Sequence, residues 1–168
     1  NDQHLAWLIG EIEAIKHIKR LRIHTRFPVV IPQRITDEFC QLLKKSRLIV
    51  VMVWHINHAN EIDQAILSAV KKLAMAGVTQ FNQSVLLKDI NDSANIQIAL
   101  CEALFDAGIL PYYLHVLDYV QGAAHFDVAE NKAIEIAKQM MAVLPGFLMP
   151  KVVREIAGET NKTPLNLT

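Results

Sequence analysis

The feature that most constrains this chain is the run LIVVMVW at residues 48–54, apolar at every position instead of at alternate ones. A strand that is apolar on both faces must be covered on both, which is the condition of a buried parallel strand and not of one with a solvated face. Parallel strands need crossovers, and the flanking sequence supplies them. Leu5, Leu8, Ile9, Ile12 and Ile15 recur at one-face helical spacing on a helix starting near Asp2 as N-cap. Thr36 offers an N-cap to a helix carrying Phe39, Leu42 and Leu43. Asn60 offers one to a helix with Ile62, Ile66, Ala69, Val70 and Leu73 inward, and Asp92 or Ser93 one to a helix through Ile96, Leu100 and Leu104. A further helix is expected over 129–143. Gly77 and Gly108 stop their helices as left-handed residues. Strands are expected at 21–25, 48–54, 78–87 and 109–117, and a proline-bearing loop through Pro28 and Pro32 follows the first of them. An apolar segment over 146–153 leads into a glycine-containing tail. This alternation predicts an α/β fold, a parallel sheet with helices outside.

An open doubly wound sheet and a (β/α) barrel both satisfy the alternation. The placement of polar residues favours the barrel. Thr25 and Arg26, residues 55–60, Gln83 and Ser84, and Asp118 all fall in or just after the C-terminal ends of expected strands, the rim at which barrels gather their sites.

Charge and cysteine count narrow the function. Seventeen basic residues balance seventeen acidic ones, so no net field recruits nucleic acid or an anionic membrane, and small-molecule partners are expected. No apolar run approaches the roughly 18 residues of a membrane span, and the N-terminus has no signal pattern, which makes the cytoplasm the expected compartment. Cys40 and Cys101 are the only cysteines; their spacing matches neither a metal knuckle nor a redox pair, and both are expected as buried thiols.

Several polar groups then stand out. His55, Asn57 and His58 form a burst directly after the apolar strand, where either a site or the capping of the next helix would place them. Asn82, Gln83 and Ser84 offer amides and a hydroxyl to a ligand or to neighbouring backbone. Asp118 ends ILPYYLHVLD with a carboxylate suited to an ammonium group, or to capping its own loop. Tyr112 and Tyr113, in the same strand, are assigned to packing. Among Arg22, Arg26 and Arg34, Arg26 is the preferred anion contact. Glu155, Gly158 and Lys162 lie in REIAGETNKTPL, which composition alone gives no specific role.

Taken in order, LRIHTRFPVVIPQRIT, HINHANEI, NQSVLLKDIND, PYYLHVLD, His125 with Phe126, and AGETNKTPL resemble the lysine 2,3-aminomutase family of radical S-adenosylmethionine enzymes over essentially the whole chain. The resemblance implies the C-terminal part of a partial (β/α)6 radical-type barrel with parallel strands and outer helices. Residues 1–145 would carry barrel strands three to six, and 146–168 a pyridoxal-phosphate-binding segment. Such enzymes convert L-lysine to β-lysine by a radical 1,2-amino shift, using pyridoxal phosphate, S-adenosylmethionine and a 4Fe-4S cluster. The CxxxCxxC cluster ligands and the glycine-rich segment of the family do not occur in this sequence, so the chain reads as a part that would be inactive alone.

By position, Lys162 is similar to the lysine that binds pyridoxal phosphate, and Asp118 and Glu155 to the acidic pair that holds the substrate ammonium. His55 and Gln83 resemble residues lining the S-adenosylmethionine site, and Arg26 is a further rim or phosphate contact. The compact tail favours the branch that supplies β-lysine to the elongation factor P lysylation system, and a homo-oligomer is among the expected partners. A non-catalytic module that binds lysine or pyridoxal phosphate is the alternative.

Overall fold

A computed structural model describes residues 2–118 and 121–167. Its strands are β1 (Arg20–Thr25), β2 (Ile49–Trp54), β3 (Thr79–Leu86), β4 (Leu110–Val116), β5 (Lys151–Arg154) and β6 (Thr163–Pro164), and they follow one another in one sheet in chain order. Sequential order is what the barrel reading expects of the strands. A doubly wound sheet reverses its strand order at a switch point, whereas a barrel wall adds each strand beside the last. β1 pairs with β2, and β4 with β5, in parallel. β6 pairs antiparallel with β5, a two-residue strand that the tail's sequence does not announce.

The helices are α1 (Asp2–Ala14), α2 (Phe27–Val30), α3 (Asp37–Lys45), α4 (Gln64–Met75), α5 (Ala94–Asp106) and α6 (Glu130–Val143). The proline segment expected as loop is instead helical in two short turns, α2 and the 3-10 turn Pro32–Arg34. Each opens on proline in its first turn, where the missing N–H has no intrahelical partner to lose. Asp2 is the first residue of α1 and not its cap, and its carboxylate receives the Thr36 hydroxyl. No helix among the described residues is long and apolar enough to cross a membrane.

The chain forms two compact units. One holds the residues up to His55 together with Asp63–Phe81. Within it β1 presents Arg20, Arg22 and His24 outward, alternating with the better-covered Leu21, Ile23 and Thr25. In β2, Val50, Met52, Val53 and Trp54 are at most 4% exposed, while Ile49 at the strand's start is 60% exposed and Val51 is half-buried, so the double burial read from the sequence holds only from Met52 onward. Thr36 caps α3 by accepting the Phe39 N–H at 3.0 Å, as the sequence indicates. The Trp54 indole, fully buried, donates to Gln80 Oε1, and Gln80 Nε2 donates to the Val70 carbonyl, which satisfies both polar groups inside the core.

The other unit holds Ile56–Ile62 and the residues from Asn82 onward. Its core joins Leu86 of β3, Cys101 of α5, Leu114 and Val116 of β4, Ile136, Ala137 and Met140 of α6, and Val152 of β5. Ser93, and not Asp92, caps α5 by accepting the Ile96 N–H. Gly77 and Gly108 have φ of 79° and 89°, the left-handed conformation that ends α4 and α5 without a Cβ clash. Both cysteines are buried, and burial pushes the Cys101 thiol up to about 12.

Candidate functional site

The C-terminal ends of β1 and β2 bring together two of the candidate residues. Thr25 Oγ1 accepts the Phe27 N–H at 3.0 Å and turns the chain at the end of β1. This carries Arg26 back so that its Nη1 donates to the His55 carbonyl at 2.6 Å. The His24 and His55 rings meet edge to face, with centroids 6.2 Å apart. His55 Nε2 is buried and has no hydrogen-bond partner among the described residues. Burial, then the fields of His24 and Arg26, push the His55 imidazole below its ordinary 6.5. A neutral imidazole with an orphaned nitrogen at a strand end is a donor or acceptor held ready for a polar ligand.

The remainder of HINHANEI is structural. His58 Nδ1 accepts the Asn60 N–H, and Glu61 accepts the N–H groups of Asn57 and His58, a capping box around the 3-10 turn Ala59–Glu61. Asn60 does not cap α4, as the sequence reading expects. Asp63 does, accepting the Ile66 N–H at 2.9 Å, because the intervening 3-10 turn delays the helix start. Asn57 Oδ1 accepts the Val85 N–H, and the Asn82 amide bonds both the N–H and the carbonyl of Ile56. Asn91, fully buried, accepts the Leu87 N–H and donates to the carbonyls of Asn57 and Val85. Each asparagine replaces a backbone partner where a loop leaves the sheet. The period-2 pattern of β3 carried the signal for Asn82, which shares the buried face with Gln80, Ser84 and Leu86; Gln83 points to the other, half-buried face.

Lys162 and Glu155 meet for a topological reason. Val153 pairs with Pro164 and Arg154 with Thr163 in the antiparallel β5–β6 ladder. The next step of that register sets Glu155 opposite Lys162 at the mouth of the connecting loop, where Gly158 adopts φ 89°. The two side chains form a direct ion pair. Lys162 holds the Glu155 carboxyl below the usual carboxylate range, with a smaller contribution from His115. Lys162 Nζ also lies 5.5 Å from the centre of the Tyr113 ring. Asp118, exposed just past β4, lines with Glu155 a cavity of about 370 Å³ whose wall includes Leu117, Arg154 and Ile156.

The structure therefore joins Arg26 with His55, Lys162 with Glu155, and Glu155 with Asp118. The first pair belongs to one unit, and Gln83 and the other three residues to the second. Tyr113 is the residue that sequence reading passed over, since a tyrosine in a strand carries no mark distinguishing a ligand-facing ring from a packed one. No group of three His, Cys, Asp or Glu among the described residues is arranged to hold a metal ion.

No protein-family model matches the chain. It is 59% identical over 162 residues to the L-lysine 2,3-aminomutase of Haemophilus influenzae, covering 96% of this chain and 48% of that protein. It is 54% identical over 166 residues to the L-lysine 2,3-aminomutase of Escherichia coli strain K12, covering 99% of this chain and again 48% of the relative. The chain thus spans about half the length of the curated relatives it matches. A solved structure, a radical SAM methyltransferase from Sphaerobacter thermophilus, shares the fold with a TM-score of 0.52 at 13% identity, over 71% of this chain and 38% of that one.

Proposed function

We propose that this chain, a homologue of the L-lysine 2,3-aminomutases over nearly its whole length, forms part of an isomerase that converts L-lysine to β-lysine, with Lys162, Glu155 and Asp118 handling the amino groups. The observation that carries this reading is the placement of a lysine amine against a carboxylate at the base of a hairpin, beside a cavity lined by a second carboxylate.

The donor set fits pyridoxal phosphate. Lys162 is a primary amine with only 28% of its side chain exposed, held at the end of a ladder instead of on a free tail. Pyridoxal phosphate, when bound, supplies an aldehyde carbon that bridges nitrogen migration. Lys162 would hold it covalently through Nζ, residues 146–168 forming the segment that carries it. Once engaged in that way, Lys162 no longer offers Glu155 an ammonium. Glu155 and Asp118, facing one cavity, are then left to pair with the substrate's ammonium by charge-assisted hydrogen bonds. Leu117 and Ile156 contribute the apolar part of that cavity's wall.

His55, with its buried orphaned nitrogen, and Arg26 beside it fit a polar cofactor such as S-adenosylmethionine; the role given to Gln83 rests on the resemblance alone. The 4Fe-4S cluster finds no fitting ligand set among the described residues. We assign the product to the elongation factor P lysylation system, a reading that rests on the family resemblance alone.

The experiment is borohydride reduction and peptide mapping of the protein expressed from its complete gene, with Lys162→Ala in parallel. The pyridoxyl group should map to Lys162, and the variant should lose both that adduct and β-lysine formation. A group mapped to Lys151 or Lys88 would withdraw the roles given to Glu155 and Asp118. Lysine binding without conversion in the wild type would favour the binding module instead.

A further inference from the structure

Among the described residues, the Lys162 amine meets two groups of very different rigidity, Glu155 and Tyr113. Glu155 lies just past the end of β5, with 53% of its side chain exposed. Tyr113 lies within β4 and is partly buried. Their relation to Lys162 follows from strand register. Tyr113 stands opposite Lys151 and His115 opposite Val153 on β5, so the two rings share one face of the sheet. Val153 in turn stands opposite Pro164 on β6, two residues beyond Lys162. The hairpin mouth is thereby set over the Tyr113 side of β4, and Lys162 Nζ comes within 5.5 Å of the ring centre. His115, only 6% exposed, packs against the same ring at 64°, with centroids 5.7 Å apart.

We propose that Tyr113 is the positioning residue of the Lys162 amine, its ring forming the surface on which Nζ is held, with His115 packed edge-on to fix that ring. This rests on the reading of Lys162 as the reacting amine. A lysine stem has four rotatable carbons, and an exposed carboxylate on a loop end restrains it poorly. A ring inside a strand, locked by a buried neighbour, is the rigid element of the pair. Its π face attracts the ammonium without a directional bond, so it sets where Nζ lies and releases it for chemistry. The contact with Nζ is made by the ring face, which phenylalanine also presents, so phenylalanine should serve as well as tyrosine.

The test uses the protein expressed from its complete gene and freed of pyridoxal phosphate, with lysines reductively methylated with ¹³C and the Lys162 resonance assigned by its loss in Lys162→Arg. The Lys162 methyl signal should be displaced upfield by the ring in the wild type and in Tyr113→Phe, and should return to the position of exposed lysines in Tyr113→Leu. On unmethylated protein, the rate of forming the reducible pyridoxal phosphate adduct should fall at least tenfold in Tyr113→Leu and stay within twofold in Tyr113→Phe. Absence of the displacement in the wild type or in Tyr113→Phe overturns the positioning role whether or not the leucine variant folds. So does an unchanged adduct rate in a folded Tyr113→Leu. Displacement intact but the adduct on another lysine overturns the reading of Lys162, and the positioning role with it; displacement absent with the adduct on Lys162 overturns the positioning role alone.

Discussion

His55 separates from the rest of its loop by one buried atom. Its Nε2 lacks a partner, while the neighbouring His58 spends its ring nitrogen on a helical turn. The sign of its pH dependence follows from the depressed pKa. The unfolded chain takes up a proton near the ordinary 6.5 and the folded chain only at lower pH, so the neutral-ring contribution to stability is complete above that value. It is lost as pH falls from about 6.5 through the folded pKa. Denaturant melts between pH 5 and 7.5 should show stability dropping on the acid side, and His55→Gln should flatten that portion of the profile. An unchanged profile in the variant would mean that another group titrates there. A ligand that hydrogen-bonds Nε2 should shift the same titration, which ties this measurement to function.

At the scale of elements, the entry to α4 shows how a local rule is right in kind and wrong in place. Asn, Asp and Ser are all competent caps, and the sequence around residue 60 offers two of them. The His58 and Glu61 capping box forms first and consumes residues 59–61 in a 3-10 turn, which hands the α4 cap to Asp63. Asp63→Ala should therefore destabilise by about 1 kcal/mol. Asn60→Ala, at an exposed position whose side chain does not cap the helix, should stay within about 0.5 kcal/mol. Paired chemical denaturation of the two variants decides the matter, and the reverse order would return the cap to Asn60. β6 makes the complementary point. Two residues of ladder are too few to announce themselves by pattern, yet they fix the register that sets Lys162 against Glu155.

For the molecule as a whole, two cysteines, both buried, offer fewer thiolates than the four ligand positions of an iron-sulfur cluster. The 168-residue chain, incubated anaerobically with iron, sulfide, S-adenosylmethionine and L-lysine, is expected to develop no cluster absorbance and to release no β-lysine. Formation of either product would show that these residues assemble a radical centre in a way their spacing does not suggest. The same material should still show the Lys162–Glu155 ion pair, since β4, β5, β6 and the loop that carry and position it all lie within these residues.

The sequence by itself determined the alternation of strands and helices, the cap at Thr36, the left-handed glycines at 77 and 108, and the buried character of β2, while it left the α5 cap open between Asp92 and Ser93. Each of these is a local consequence of side-chain type: apolar periodicity, a short oxygen acceptor before a helix, a missing Cβ. The order of motifs also marked Lys162, Glu155, Asp118 and His55 through family resemblance, although their own chemistry in the sequence is ambiguous. Only the tertiary structure decided that the strands run in sequential order, that Asn57, Asn82 and Asn91 serve backbone groups, and that a tyrosine ring lies beside the Lys162 amine. Those outcomes depend on which strands become neighbours and in what register. A choice between one distant backbone partner and another leaves no trace in the spacing of residues along the chain.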